Sequence, residues 1–347
     1  MKKFTLLILV ATLLLGINSG CGQQQPETAP PTPEINGETE TTPPEDDVPP
    51  EDNGTEDNGT PGDNGVPDAT DITVGVSLLT REHVFYNRIE DAIQARAAEL
   101  GIELIVEDAG FDPAAQFAQV ENFINMGVDA IMLSPAASEG SSTMVELARD
   151  NDIPVFTMDI ASDSEHAIAH VATDNYAGGR LAANYVATHM LPDGVGNVAI
   201  VTYSEVESTV NREQGFVNYM EENHPGIVVV DIQNSRGDQG VSADVTQNML
   251  LMFDELDVIF GVGDPFAMGA FSSVMAAERE VQIIGFDGNP DAVEEIARGG
   301  LFVASIAQDP DAIGSQALDA VLAYLRGEPV EPLIAISPQV IDINTLE

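Results

Sequence analysis

The stretch "PVFTMDI" (154–160) is apolar at four of its first five positions and then places a carboxylate, Asp159, directly before Ile160. A short strand that is apolar on both faces is an inner strand of a parallel sheet. Open α/β sheets bind ligands at the carboxyl ends of such strands. Asp159 stands at that end and is therefore a candidate ligand contact.

Outward from this strand the same rhythm repeats. Strands are expected at "ITVGVSL" (72–78), "ELIVEDA" (103–109), "AIMLSP" (130–135) and "AIAHVATD" (167–174), with helices over 86–100, 113–126 and 140–150 between them. Ile89, Ala92, Ile93 and Ala97 recur at helical spacing. After Asn175 the pattern restarts with a helix to His189. It then alternates helices with "NVAIVTYS", "IVVVDIQ", "VIFGVGD", "VQIIGFDG" and "LFVASIAQ". Alternating strands and helices imply right-handed crossovers and parallel sheets. The expected fold class is α/β, with two similar units in tandem and one cleft between them.

Length and charge bound the rest. A chain of 347 residues, 44% hydrophobic, can bury two ordinary cores. Its formal net charge is -46, and its only lysines are Lys2 and Lys3. No basic face is available for phosphates, so nucleic acid is excluded as a partner. Acidity spread over the whole chain suits solubility in a saline environment; an ordinary acidic extracellular protein fits it equally well.

Lys2 and Lys3 precede the apolar run "FTLLILVATLLLGI", then small residues and Cys21 in "NSGCG". Residues 1–20 read as a secretory signal, too short to span a bilayer comfortably. Cys21 is the only cysteine, so no intrachain disulfide can form. After Ser19 and Gly20 it resembles the lipidation site of bacterial lipoproteins, although Asn18 stands where that pattern usually has leucine. The expectation is an extracytoplasmic protein held on the cell membrane by a lipidated Cys21. Residues 21–70, rich in Pro, Glu, Asp, Thr, Gly and Asn with the near repeat "EDNGTEDNGTPGDNG", cannot bury enough apolar surface to fold. They read as an acidic tether of about 50 residues.

The segments "GVDAIMLSP", "IPVFTMD", "TDNYAGGRLAANYV", "IFGVGDPFAMGAF", "IIGFDGNPDAVEEIARGGLFVASIAQDP" and "LRGEPV" resemble, collinearly over 71–347, the sugar-binding proteins of bacterial ABC importers, the ribose-binding type. Sugar-responsive repressors share this core but begin with a DNA-binding helix-turn-helix, where this chain has a signal and an acidic tether. The resemblance implies the type I periplasmic binding protein fold, two lobes joined by three crossings. The lobes would be 71–174 plus 309–337 and 175–308 plus 338–347. It also implies closure on a ligand by hinge motion and delivery to an ABC permease with its ATPase, by a monomer. A sensory receptor of the same fold, presenting a sugar-like signal to a membrane partner, is the alternative.

The resemblance also assigns the cleft. A sugar presents hydroxyls and flat C–H patches, so its site needs carboxylates, amides and aromatic faces. Asp159 and Asp287 match ligand carboxylates, Gln308 a ligand amide, and Phe85 with Tyr86 an aromatic pair that sandwiches the sugar ring. Arg81 and its neighbours Glu82 and His83 fall at the cleft mouth. Ile160 stands where the ribose-binding type has an arginine, Gly263 where it has an asparagine, and Gly237, beside Arg236, where it has an aromatic. Arg212 supplies the second arginine if the register allows; by spacing, Val210 takes its place. Losing a charge-assisted donor worth about 1.5–3 kcal/mol makes this a pocket for something other than ribose, with Ile160 as an apolar wall.

Other motifs carry no chemistry. "GVGDPFAMGA" lacks the lysine of a phosphate loop, and Asp264 before Pro265 reads as an N-cap. His166 and His170 would lie about 13 Å apart on a strand, too far to share a metal. No serine has a histidine in a recognisable nucleophile motif. Neither an enzyme nor a cofactor is expected.

Overall fold

The computed structural model describes residues 71–346. The expected signal, Cys21 and the acidic tether lie outside the described residues.

Strand and helix alternate as the apolar pattern dictates. The first sheet holds β1 (Thr73–Leu78), β2 (Glu103–Asp108), β3 (Ala130–Leu133), β4 (Val155–Met158), β5 (Ala169–Thr173) and β11 (Leu333–Ile336). Their order is β11-β5-β4-β3-β1-β2, parallel throughout. The second holds β6 (Gly196–Thr202), β7 (Ile227–Asn234), β8 (Val258–Gly261), β9 (Gln282–Asp287), β10 (Phe302–Ala307) and β12 (Gln339–Asp342), ordered β12-β10-β9-β8-β6-β7. Only β12 runs antiparallel to its neighbour. Inner strands β3, β4 and β8 are buried at every position, as strands covered on both faces must be. The two sheets share one topology, with the strand order reversing at β1 and at β6.

The helices are α1 (Val84–Leu100), α2 (Pro113–Met126), α3 (Ser142–Arg149), α4 (Asn175–Tyr185), α5 (Glu207–Asn223), α6 (Gln239–Met252), α7 (Asp264–Ala276), α8 (Pro290–Ala297) and α9 (Pro310–Leu325). After Tyr185, α4 widens into a π turn, Val186–Met190. Acidic residues start several of these helices. Asp112, Asp174, Asp238 and Asp309 each accept a hydrogen bond from a backbone N–H of the first turn, satisfying groups that the helix leaves unpaired. On α1, Ile89, Ile93 and Ala97 form the buried face.

The chain passes between the sheets three times: from β5 into α4, from β10 into α9, and from β11 to β12. Helix α9 packs on α1, β4 and β5, so it covers the first sheet although it follows the last inner strand of the second. The lobes meet across the cleft. Ser138 N–H donates to Glu205 O at 3.1 Å, Glu207 N–H donates to Ser138 Oγ at 2.9 Å, and Tyr203 Oη donates to Ala136 O at 3.3 Å.

Helices α4 and α5 approach so closely that a Cβ at Gly179 would overlap the carbonyl of Arg212, and one at Gly215 the carbonyl of Tyr176. Neither backbone oxygen can swing aside as a side chain would. Gly179→Ala should cost about 1–3 kcal/mol and lower the thermal midpoint by several degrees. An unchanged midpoint would mean that the helices can separate freely.

Candidate functional site

Each lobe ends one of its inner strands on a carboxylate. Asp159 follows β4 in the left-handed region, φ 62°, a conformation that Asp tolerates better than most residues. Its Oδ2 accepts a hydrogen bond from Tyr86 Oη at 2.6 Å. Its Oδ1 is buried with no hydrogen-bond partner among the described residues. Burial raises its pKa to about 6, against the opposing influence of Arg212 and the Tyr86 bond.

Asp287 ends β9 at φ 120°. Its Oδ1 accepts from Arg212 Nη1 at 3.1 Å and from Gln308 Nε2 at 2.8 Å. Its Oδ2 accepts from the Asp264 N–H at 3.1 Å. Burial raises the Asp287 pKa, and Arg212 is the largest influence the other way. Arg212 is fixed on the remaining sides: Nε donates to Asn175 Oδ1 and Nη1 to Val262 O, both at 2.8 Å. Its guanidinium carbon lies 3.9 Å from the Phe286 ring centroid. The register left open between Arg212 and Val210 thus puts Arg212 in the cavity.

The cavity is small, about 40 Å³. Asp159, Asp287, Gln308, Phe85, Tyr86, Arg212 and Gly263 all line it. Gln308 has its Oε1 buried without a partner among the described residues. A Cβ at Gly263 would come within 3.0 Å of the Phe266 ring, so glycine there makes room for an aromatic.

Four sequence expectations change. Phe85 and Tyr86 do not sandwich anything between them: their rings meet edge to face, centroids 5.4 Å apart at 84°. The facing aromatics come from the other lobe, Tyr203 and Phe266. The rings nearest to a side chain at Gly237 would be those of Phe111 and Tyr203. Ile160 is not a cavity wall. It is 1% exposed within the apolar core, because the turn at Asp159 returns its N–H to Met158 O at 2.7 Å and carries the side chain away from the cleft.

Arg81 and Arg236 also lie outside the cavity lining. Arg81 grips Glu90 through Nε at 2.6 Å and Nη2 at 2.8 Å. Arg236 is exposed in a left-handed turn, φ 56°, closed by its N–H donating to Asn234 Oδ1. Finally, Asp264 is not the N-cap of α7; Gly263 is. Asp264 is fully buried and accepts from Asn289 N–H at 2.7 Å and Ser305 Oγ at 2.8 Å. Burial and neighbouring Asp287 hold its pKa well above the ordinary range. It fixes the loop after β9 and so the direction of Asp287.

Of the three residues expected at the cleft mouth, His83 lines the cavity itself. Its Nε2 meets Gly237 O across the cleft at 3.1 Å, and its ring lies edge-on to Phe266 at 6.4 Å. Tyr203 was within reach of the rule that found Asp159, since it follows the end of β6. Among the described residues no group of three or more His, Cys, Asp or Glu could hold a metal. The arrangement suits a molecule that offers hydrogen-bond donors to Asp159 and Gln308 and an apolar face to the rings.

The Asp159 shift has a signed consequence for stability. Its folded-state pKa, about 6, exceeds the ordinary 3.8, so between these values the folded protein binds the extra proton. Its contribution therefore falls as pH rises through that window. Without ligand, Asp159→Asn should unfold at higher urea than the wild type at pH 7.5, by the equivalent of about 3 kcal/mol. The difference should vanish near pH 4. Equal midpoints at both pH values would show that this carboxylate is not strained by burial.

The family comparison agrees with this architecture. Residues 74–329 match the periplasmic binding protein domain. The chain is 31% identical over 269 residues to the ribose import binding protein of Haemophilus influenzae, covering 78% of this chain and 91% of that one. It is likewise 31% identical over 269 residues to the ribose import binding protein of Bacillus subtilis, covering 76% and 85%. An ABC transporter solute binding protein from Bacillus halodurans, solved with bound myo-inositol, superposes with a TM-score of 0.74 at 28% identity, covering 80% of this chain and 97% of that one. With its two α/β lobes and a polar cavity between them, the chain belongs to the periplasmic binding protein family, whose members bind rather than catalyse.

Proposed function

We propose that this protein is the extracytoplasmic substrate-binding component of an ABC importer. It captures a monosaccharide or small polyol between its lobes by hinge closure and delivers it to a permease. The observation that carries this reading is the pair of unpartnered buried acceptors, Asp159 Oδ1 and Gln308 Oε1, in one cavity with the rings of Tyr86 and Phe266. A buried acceptor without a donor costs about 1–3 kcal/mol, and hydroxyls are the donors that a sugar brings. Aromatic faces suit its C–H patches. Ribose itself is not the expected ligand, because Ile160 supplies no donor and Gly263 no amide. The protein acts as a monomer, held to the membrane by a lipid on Cys21.

A thermal-shift screen of pentoses, hexoses, deoxy sugars and cyclitols tests the ligand class. A ligand at a thousand times its Kd adds about 4 kcal/mol, and at least one compound should give a shift of that order. No shift from any sugar or polyol would sink the reading.

Two substitutions separate contact from scaffold. Asp159→Ala should weaken the best hit by about 10-fold to 100-fold, the loss of a hydrogen bond to a charged group, and leave the protein folded. Asp287→Ala should lose both affinity and stability, because Arg212 would be left buried without its partner. Anchoring is tested apart from binding: Cys21→Ala should move the protein from the membrane fraction to the soluble one with its affinity unchanged.

A further inference from the structure

The charges that line the cavity do not balance. Its ionisable residues are Asp159, Asp287, Arg212, His83, Tyr86 and Tyr203. Arg212 pairs with Asp287 at 3.1 Å, their side chains 5% and 9% exposed, so those two charges cancel. Burial holds His83 below its usual value and keeps it neutral at pH 7. Burial also keeps both phenols protonated, Tyr86 well above its usual value and Tyr203 up to about 12. What remains is Asp159.

Asp159 is 3% exposed, and no cation pairs with it among the described residues. Its Oδ2 receives only the neutral Tyr86 hydroxyl, and its Oδ1 receives nothing. The position that holds an arginine in the ribose-binding type is Ile160, which lies in the core. Arg81 and Arg236 do not reach the cavity to replace it.

The approach to the cavity has the same sign. Beyond His83, the depression at the mouth is lined by Glu82, Asp238 and Asp291, and by no lysine or arginine. A cleft lined by one sign of charge concentrates counter-charged ligands. A neutral hydroxyl would satisfy the lone pairs of Asp159 and leave its charge uncompensated. An ammonium supplies both donors and charge, and a charge-assisted hydrogen bond is about twice as strong as a neutral one.

We propose that the ligand of this site is a cationic amino sugar or amino polyol whose ammonium group binds Asp159. The proposal rests on the reading of the cavity as a site for polyhydroxylated molecules and names the member of that class the charges select.

Matched pairs test it. Glucosamine, galactosamine, mannosamine and an aminocyclitol are titrated by calorimetry at pH 7, each against its hydroxyl parent and its N-acetyl derivative, on the full protein. At least one amine should bind about tenfold or more tighter than both neutral counterparts. Raising the pH until that amine is neutral should erase the advantage, and so should Asp159→Asn, its folding checked by urea unfolding. The pH arm uses wild-type protein and stands even if the variant does not fold. Neutral parents that bind as tightly as their amines overturn this inference and leave sugar binding in place. An amine advantage that survives neutralisation or Asp159→Asn overturns it too. If none of the amines, sugars or cyclitols binds, both the inference and the reading beneath it fail.

Discussion

A carboxylate buried beside a guanidinium, Asp287 with Arg212, is the constraint on which the second lobe is arranged. Neither charge could stay buried alone. Arg212 is held by Asn175 from the start of α4, by the Val262 carbonyl after β8 and by the Phe286 face. Asp287 is held by the Asp264 N–H and by Gln308 at the second crossing. The pair therefore ties α4, α5, β8, β9 and a hinge segment into one unit. Glycines where α4 meets α5 let the arginine's own backbone come close enough to complete it.

The opposite lobe is built differently. Asp159 is anchored by a single hydroxyl, Tyr86, and its second oxygen is left to the cavity. One lobe thus offers an ion-paired carboxylate beside one unpartnered amide oxygen, Gln308 Oε1, and the other a carboxylate without a cation among the described residues. Such asymmetry suits a cleft that closes on a ligand: the open state need not break an ion pair, and the closed state gains from what the ligand supplies. His83, reaching Gly237 over the mouth, fastens the lobes where the ligand would otherwise leave.

Much of the frame was legible because it follows from local periodicity. Apolar runs marked the inner strands and the strand-end rule picked out Asp159, whereas Asp287 and Gln308 came from the family resemblance. What was not legible depended on apposition or on a single dihedral angle. Phe266 faces the first lobe's aromatics only because the lobes meet, and no spacing in one lobe encodes that. Arg212 and Val210 lie two residues apart on a helix, on nearly opposite faces, so only the docking of α5 could choose between them. Ile160 was misplaced because one left-handed residue, Asp159, turns it inward. Asp264 wore the sequence signature of an N-cap, and only its burial reveals the second carboxylate beneath the first.

The most direct test is a crystal structure of the complex with the tightest ligand found. The account predicts one ligand donor within about 2.7–3.2 Å of Asp159 Oδ1 and another within that distance of Gln308 Oε1, with the carbon skeleton against Tyr86 or Phe266. A ligand seated outside this cavity, or one that leaves both oxygens without a ligand donor, would contradict it.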